Sequence, residues 1–144
     1  MTTFQQKILA QLDKMKCLPP LLARITLAVV FLVAGAGKLQ KLDRVAEYFV
    51  SLHISYPLLS ANLVAWTELL IGLCMLFGVY ARTAAVPLIW IMIMAMIKTK
   101  GDQFGKFSDL FNFTEFLYLV LAFWILVAGP GEITIQRWVN RLKG

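Results

Sequence analysis

The stretch PLLSANLVAWTELLIGLCMLFGVY, residues 57–80, decides the fold because it is long and apolar enough to cross a bilayer. About 20 apolar residues span the hydrocarbon core as a helix. A single carboxylate, Glu68, lies near the middle of the stretch. An ionisable group at that depth is costly, so it has a partner, stays protonated or marks a site. Glu68 is therefore the first candidate functional residue.

The residues around Glu68 are small on one side of the predicted helix. Three small residues share a face with Glu68 at helical spacing: Ala61, Ala65 and Gly72. Small residues let another helix approach closely and bring a partner to the acid. The alternative interpretation is that Glu68 only links packed helices as a polar contact.

Composition places the chain among membrane proteins. Hydrophobic residues make up 60% and charged residues 15%, against about 45–50% and about 25% in soluble domains. The 144 residues leave room for four short spans and little else. The net charge is +6, but the cations lie at segment ends, which favours lipid head groups over nucleic acid as their partner.

The apolar pattern predicts an all-α, antiparallel bundle of four transmembrane helices with short interfacial helices. The predicted spans are about 21–37, 57–79, 84–98 and 114–128. Residues 1–20 predict an interfacial N-terminal helix, residues 42–51 a second surface helix, and residues 130–144 an interfacial tail. A cleaved signal peptide fits the N-terminal run less well, because Arg24 interrupts its apolar part.

Span one carries two cations on the face that should point inward. This face contains Arg24, Ala28, Phe31, Gly35 and Lys38. If the ends of spans one and two lie at equal depth, Arg24 is offset from Glu68 by about 4 Å and Lys38 by about 16 Å. The sequence therefore predicts a buried ion pair between Arg24 and Glu68. Arg82, in the next turn, is expected to bind the last carbonyls of span two.

Polar residues near the other membrane surface predict the mouth of a pocket. The candidate pocket or entrance residues are Lys38, Asn62, Trp66, Lys98, Asn112 and Glu115. Glu115 has a simpler explanation, since an acid in the first turn favours any helix. Catalytic residues cannot be named from the sequence.

Metal ligation is not expected. Met92, Met94 and Met96 are soft donors, but residues two apart on a helix diverge by about 200°, so Met94 should face away from the others. Cys17 and Cys74 lack a CxxC spacing and are interpreted as packing residues. His53 is a weak candidate for proton transfer in an interfacial loop.

The distribution of cations predicts the orientation. Eight Lys and Arg residues fall on the side of the termini and six on the other: Lys7, Lys14, Lys16, Arg24, Arg82, Arg137, Arg141 and Lys143 against Lys38, Lys41, Arg44, Lys98, Lys100 and Lys106. By the positive-inside rule, both termini are expected in the cytoplasm.

From about residue 22 to residue 138, the pattern resembles the DoxX family of small bacterial four-helix membrane proteins. The marks are Ala23-Arg24, the run FLVAGAGKL at 31–39, ELLIG at 68–72, GVYAR at 78–82 and the closing Gly129-Pro130-Gly131. Ala34 and the run Thr134 to Arg137 depart from the usual pattern. The resemblance implies the fold and a location in the bacterial inner membrane.

The resemblance also implies roles in membrane oxidoreductase assemblies, including a related thiosulfate:quinone oxidoreductase subunit, in thiol-stress complexes and in operons for copper-handling peptides. We therefore expect a membrane subunit of a redox or stress-response system that binds quinone or docks a redox partner. Whether such a subunit is itself an enzyme is left open. The alternative is a non-catalytic scaffold that helps mature, retain or export a partner protein or metal-handling peptide, and homo-oligomerisation fits either role. No haem, flavin or metal motif is present, so electrons would come from a partner or from quinone.

Overall fold

The computed structural model describes residues 12–13, 15–100 and 111–143, the side chains at 99, 100, 137 and 143 excepted. Within these ranges the regular structure is helical, as predicted. The six helices are α1 (Leu18–Gln40), α2 (Leu42–Ser51), α3 (Pro57–Phe77), α4 (Ala81–Lys100), α5 (Thr114–Ala128) and α6 (Ile135–Lys143). The predicted helix at 1–20 lies mostly outside the described residues, as do residues 101–110 between α4 and α5.

Four of these helices form the membrane bundle. By length and composition α1, α3 and the 81–98 part of α4 can each cross a membrane, while α5 is an apolar helix of 15 residues. The helix α1 packs mainly on α3 and α4 mainly on α5, while α3 contacts α4 and α1 contacts α5. The chain is therefore an all-α, polytopic membrane protein.

Proline and glycine set the helix ends. Pro19 and Pro20 open α1, Pro57 opens α3, and Gly78 ends α3 in the left-handed conformation with φ +67°. The turn after α3 is shorter than the sequence predicts, and α4 begins at Ala81. With the predicted start at residue 84, Pro87 would fall in the first turn of the span; because α4 begins at Ala81, Pro87 lies inside the helix.

The contact between α1 and α3 is made by glycine. A methyl group at Gly35 would lie 2.8 Å from the carbonyl oxygen of Ala65 and 2.9 Å from the backbone nitrogen of Leu69. One at Gly72 would lie 2.9 Å from the backbone nitrogen of Leu32. All three distances are too short for any real side chain, so the two backbones touch. This confirms the predicted small-residue face on span two.

The largest fully buried apolar side chains pack together on the Arg24 side of the bundle. They come from all four bundle helices and include Leu27, Met75, Leu88 and Ile125. Toward the other end, the ring of Phe31 packs edge-on against Tyr118 with their centroids 6.0 Å apart. The bundle thus has a packed apolar core between the level of Glu68 and the Arg24 end.

Gly35→Ala is expected to destabilise the bundle by at least about 2 kcal/mol, because the new methyl group forces two backbones apart. Gly37→Ala is the matched control, since nothing lies within 4 Å of a methyl group at that position in the same helix. Unfolding by SDS titration in mixed micelles measures both variants. Equal stability of the two variants would contradict the glycine contact.

Candidate functional site

Glu68 lies inside the bundle and forms an ion pair with Lys38. The side chain of Glu68 is 2% exposed, and its Oε1 accepts a hydrogen bond from the Lys38 ammonium. Lys38 stands in the last turn of α1 and is 30% exposed. One partner is therefore enclosed, while the other reaches the surface of the bundle.

The predicted partner of Glu68 was Arg24, and that prediction is wrong. It assumed that spans one and two end at equal depth. The contacts of Gly35 with Ala65 and Leu69 instead place Lys38 close to the level of Glu68. Relative to the assumed alignment, this register moves Lys38 along α3 by about 14 Å. The same shift carries Arg24 to the far end of α3.

The second oxygen of the Glu68 carboxylate has a different environment. Oε2 is buried and has no hydrogen-bond partner among the described residues. A buried carboxylate oxygen without a partner is unfavourable, so it usually signals a bound group or a role in chemistry. In the ionised form Oε2 accepts a hydrogen bond, and when protonated it donates one. The pair can thus exchange hydrogen bonds with a polar molecule.

Arg24 is also buried, and it binds backbone carbonyls. Its side chain is 2% exposed. Nε donates to the carbonyl of Met75 at 2.9 Å, and Nη2 donates to that of Leu76 at 3.1 Å. Nη1 donates to the carbonyls of Pro130 at 3.0 Å and Ile133 at 2.7 Å. Arg24 thereby caps the C-terminus of α3 and fixes the segment that leads into α6.

Gly78 makes this cap possible. A methyl group at Gly78 would lie 2.6 Å from the Arg24 guanidinium, so only glycine leaves room for it. A cation at a helix C-terminus is stabilised by the partial negative charge of the last carbonyls. Sequence reasoning assigned the last carbonyls of α3 to Arg82, and this was wrong. Arg82 donates instead to the carbonyl of Val127 at the end of α5, at 3.2 Å.

None of the described contacts joins the other predicted pocket residues to the Lys38–Glu68 pair, although several of them lie at the same end of the bundle. Trp66 is 56% exposed on α3 and, two residues from Glu68, faces away from it. Asn62 donates to the carbonyl of Leu58 in its own helix, at 3.4 Å. Lys98 and Asn112 are exposed near the same end of the bundle as Lys38. Glu115 is half-buried in the first turn of α5 and has a contact within the chain.

The remaining sequence candidates behave as packing or surface residues. Met92 and Met96 are buried, whereas Met94 is exposed on another face, as the spacing predicts. Cys17 and Cys74 are free thiols. Among the described residues no group of three or more His, Cys, Asp or Glu side chains could hold a metal ion.

Sequence reasoning missed a cavity at the Arg24 end of the bundle. Its volume is about 410 Å³, and it lies between α1, the end of α3 and α6. Arg24, Phe77, Glu132, Trp138 and Arg141 are among its lining residues. The amphipathic pattern of the tail after Gly131 predicts a helix at this end of the chain. Its position on the bundle, and therefore the cavity, cannot be predicted from residue spacing.

Comparison with known proteins places this architecture in a family. The DoxX family model matches residues 20–101, more than half of the chain. The chain belongs to the DoxX family. It is 27% identical over 124 residues to the inner membrane protein YphA of Escherichia coli (strain K12), covering 81% of this chain and 87% of that protein. No solved structure matches at comparable significance.

In this DoxX protein, the family match covers α1, α2, α3 and α4. Both buried charges, Arg24 and Glu68, fall inside the match, and so does Lys38. The segment that supplies the Pro130 and Ile133 carbonyls to Arg24, together with α5 and α6, lies outside it. The Lys38–Glu68 pair is thus built entirely from the matched part of the chain.

Lys38→Met is expected to destabilise the protein by about 3 kcal/mol, because it leaves the enclosed Glu68 carboxylate without its cation. Lys41→Met, an exposed lysine just after α1, is the control and should shift stability by less than about 0.5 kcal/mol. SDS titration measures both. If Lys38→Met changed the free energy of unfolding as little as Lys41→Met, the ion pair would contribute little to stability.

Arg24→Gln is expected to cost at least about 3 kcal/mol, since four carbonyls lose a charged donor. Loss of the contacts to Pro130 and Ile133 should also release α6, so trypsin should cleave within α6 several-fold faster than in wild type. Arg82→Gln removes one exposed cap and should cost no more than about 1 kcal/mol without changing the digestion. An unchanged cleavage rate in Arg24→Gln would contradict the role of Arg24 in holding the tail.

Proposed function

We propose that this DoxX-family protein is an inner-membrane subunit of a redox or stress-response system and that its Lys38–Glu68 pair binds the head group of a quinone. The observation that carries the proposal is the buried Glu68 Oε2, which has no hydrogen-bond partner among the described residues. The E. coli relative is named an inner membrane protein, which supports the location.

The two charged groups match the chemistry of a quinone head group. The Lys38 ammonium can donate to a quinone carbonyl, and Glu68 Oε2 can accept from a quinol hydroxyl. Lys38 is partly exposed at the end of α1, so a lipid-soluble molecule can reach the pair from the bilayer. A bound quinone supplies two-electron redox chemistry. Lys38 and Glu68 orient its head group and take up or return the accompanying protons.

The orientation proposed from the sequence places this site toward the periplasmic half of the membrane. The start of α1 and the segment before α6 lie at one end of the bundle, because a methyl group at Gly131 would touch Pro20 at 2.8 Å. The excess of cations at that end supports a cytoplasmic location. The Lys38–Glu68 pair lies toward the opposite end, where α1 finishes.

A non-catalytic scaffold is the second candidate. It is supported by α2, a helix with one charged and one apolar face that contacts α3 yet has no fully buried residue. Such a helix can rest on the lipid surface or pack against a partner protein. Stoichiometric co-purification of one partner with protein that contains no quinone would favour the scaffold.

Quinone content tests the first candidate. Protein extracted with native lipid is expected to contain close to one quinone per chain after removal of loosely bound lipid. Lys38→Met, which removes one hydrogen bond to the head group, and Glu68→Gln, which replaces the charged acceptor by a weaker neutral one, should each reduce this content at least about fivefold. Glu47→Gln is the matched control, because Glu47 is an exposed carboxylate on α2.

Addition of a short-chain quinone analogue should raise the thermal stability of wild-type protein and of Glu47→Gln but not that of Glu68→Gln. The proposal fails if wild-type protein contains no quinone and the analogue produces no shift. It also fails if the Glu68→Gln and Glu47→Gln proteins retain equal amounts of quinone.

A further inference from the structure

A second site is formed by the cavity between α1, the end of α3 and α6, at the opposite end of the bundle from Lys38. The cavity has a volume of about 410 Å³ and is open toward the outside of the bundle. Its walls are mostly apolar and include Leu76 and Phe77 of α3. It lies where α1 begins and α3 ends, two helices that are long and apolar enough to cross a membrane.

The charges around the cavity are arranged in a definite way. The four hydrogen-bond acceptors of Arg24 are all neutral carbonyls, so the positive charge of its guanidinium is only partly offset, by the end of α3. Arg141 lines the same cavity from the exposed side of α6. Two guanidinium groups, one deep and one at the rim, therefore favour an anionic group such as a phosphate.

The rim also carries a carboxylate and an aromatic ring. Glu132 and Trp138 both line the cavity, and Trp138 is 64% exposed. Glu132 has a contact within the chain, but a carboxylate accepts several hydrogen bonds and can also receive an ammonium group. Tryptophan is typical of the membrane interface, and its face attracts cations.

We infer that this cavity binds one phospholipid with a zwitterionic head group that carries both a phosphate and a primary ammonium. The phosphate lies near Arg141 in the positive field of Arg24, and the ammonium lies near Glu132 and Trp138. An acyl chain follows the exposed surface of Phe77 into the bilayer, which a water-soluble phosphate ester could not do. The bound lipid fills the space between α6 and the bundle. This site is independent of the proposed quinone site.

Lipid retention measures the inference directly. Full-length protein is equilibrated in micelles that contain equal amounts of phosphatidylethanolamine and phosphatidylglycerol. Loosely bound lipid is then removed with excess detergent, and native mass spectrometry identifies the lipid that remains bound. Wild-type protein is expected to retain one phospholipid, with phosphatidylethanolamine favoured at least about threefold. Arg141→Gln should lower the retained amount at least about fivefold. Arg44→Gln, an exposed arginine on α2, is the control and should retain as much lipid as wild type.

The carboxylate provides a second, independent readout. Glu132→Gln should keep one phospholipid but lose the preference for phosphatidylethanolamine, which a merely structural role of Glu132 would not change. Millimolar glycerophosphoethanolamine, the soluble head group, should not displace the lipid. Equal retention in Arg141→Gln and Arg44→Gln, a preference for phosphatidylglycerol, or displacement by the soluble head group would overturn the inference. The inference also fails if wild-type protein retains no lipid.

Discussion

The close contact between α1 and α3 determines where Arg24 and Glu68, the buried charged residues of the described part of the chain, lie. Gly35 and Gly72 allow the two backbones to touch, and this contact permits one alignment of the helices. In that alignment the last turn of α1 meets the middle of α3, so Lys38 reaches Glu68. The first turns of α1 meet the end of α3, so Arg24 reaches its terminal carbonyls. Because the two glycines lack side chains, Lys38 can pair with Glu68 and Arg24 can bind the carbonyls at the end of α3.

In each of the helix pairs α1–α3 and α4–α5, an arginine of the first helix caps the C-terminus of the second. Both caps lie at the end of the bundle that the proposed orientation places in the cytoplasm. Arg24 of α1 caps α3, and Arg82 of α4 caps α5. A glycine follows each capped helix and leaves space for the guanidinium. The difference is burial, because Arg24 is enclosed and also binds the segment before α6. Four backbone carbonyl oxygens thus satisfy the Arg24 guanidinium without a carboxylate. Glu68 instead forms its ion pair with Lys38.

Much of the fold was predictable because apolar length and helical periodicity are local properties. The inward faces of α1 and α3, the short surface helix α2 and the outward face of Met94 all follow from spacing of 3.6 residues per turn. The partner of Glu68 was not predictable, since a slip of a few turns between two helices leaves every periodicity unchanged. The cavity beside α6 was missed for a related reason, because it depends on how the tail folds back onto Arg24.

The central claim is that Glu68 is coupled to Lys38 and not to Arg24, and a pair of double-mutant cycles tests it most directly. Stability is measured by SDS titration for Lys38→Met, Arg24→Lys and Glu68→Gln, alone and in the two combinations with Glu68→Gln. The structure predicts a coupling of at least about 1 kcal/mol between positions 38 and 68, and additivity within about 0.5 kcal/mol between positions 24 and 68. The reverse result, with additive effects at 38 and 68 and coupling between 24 and 68, would contradict the helix register.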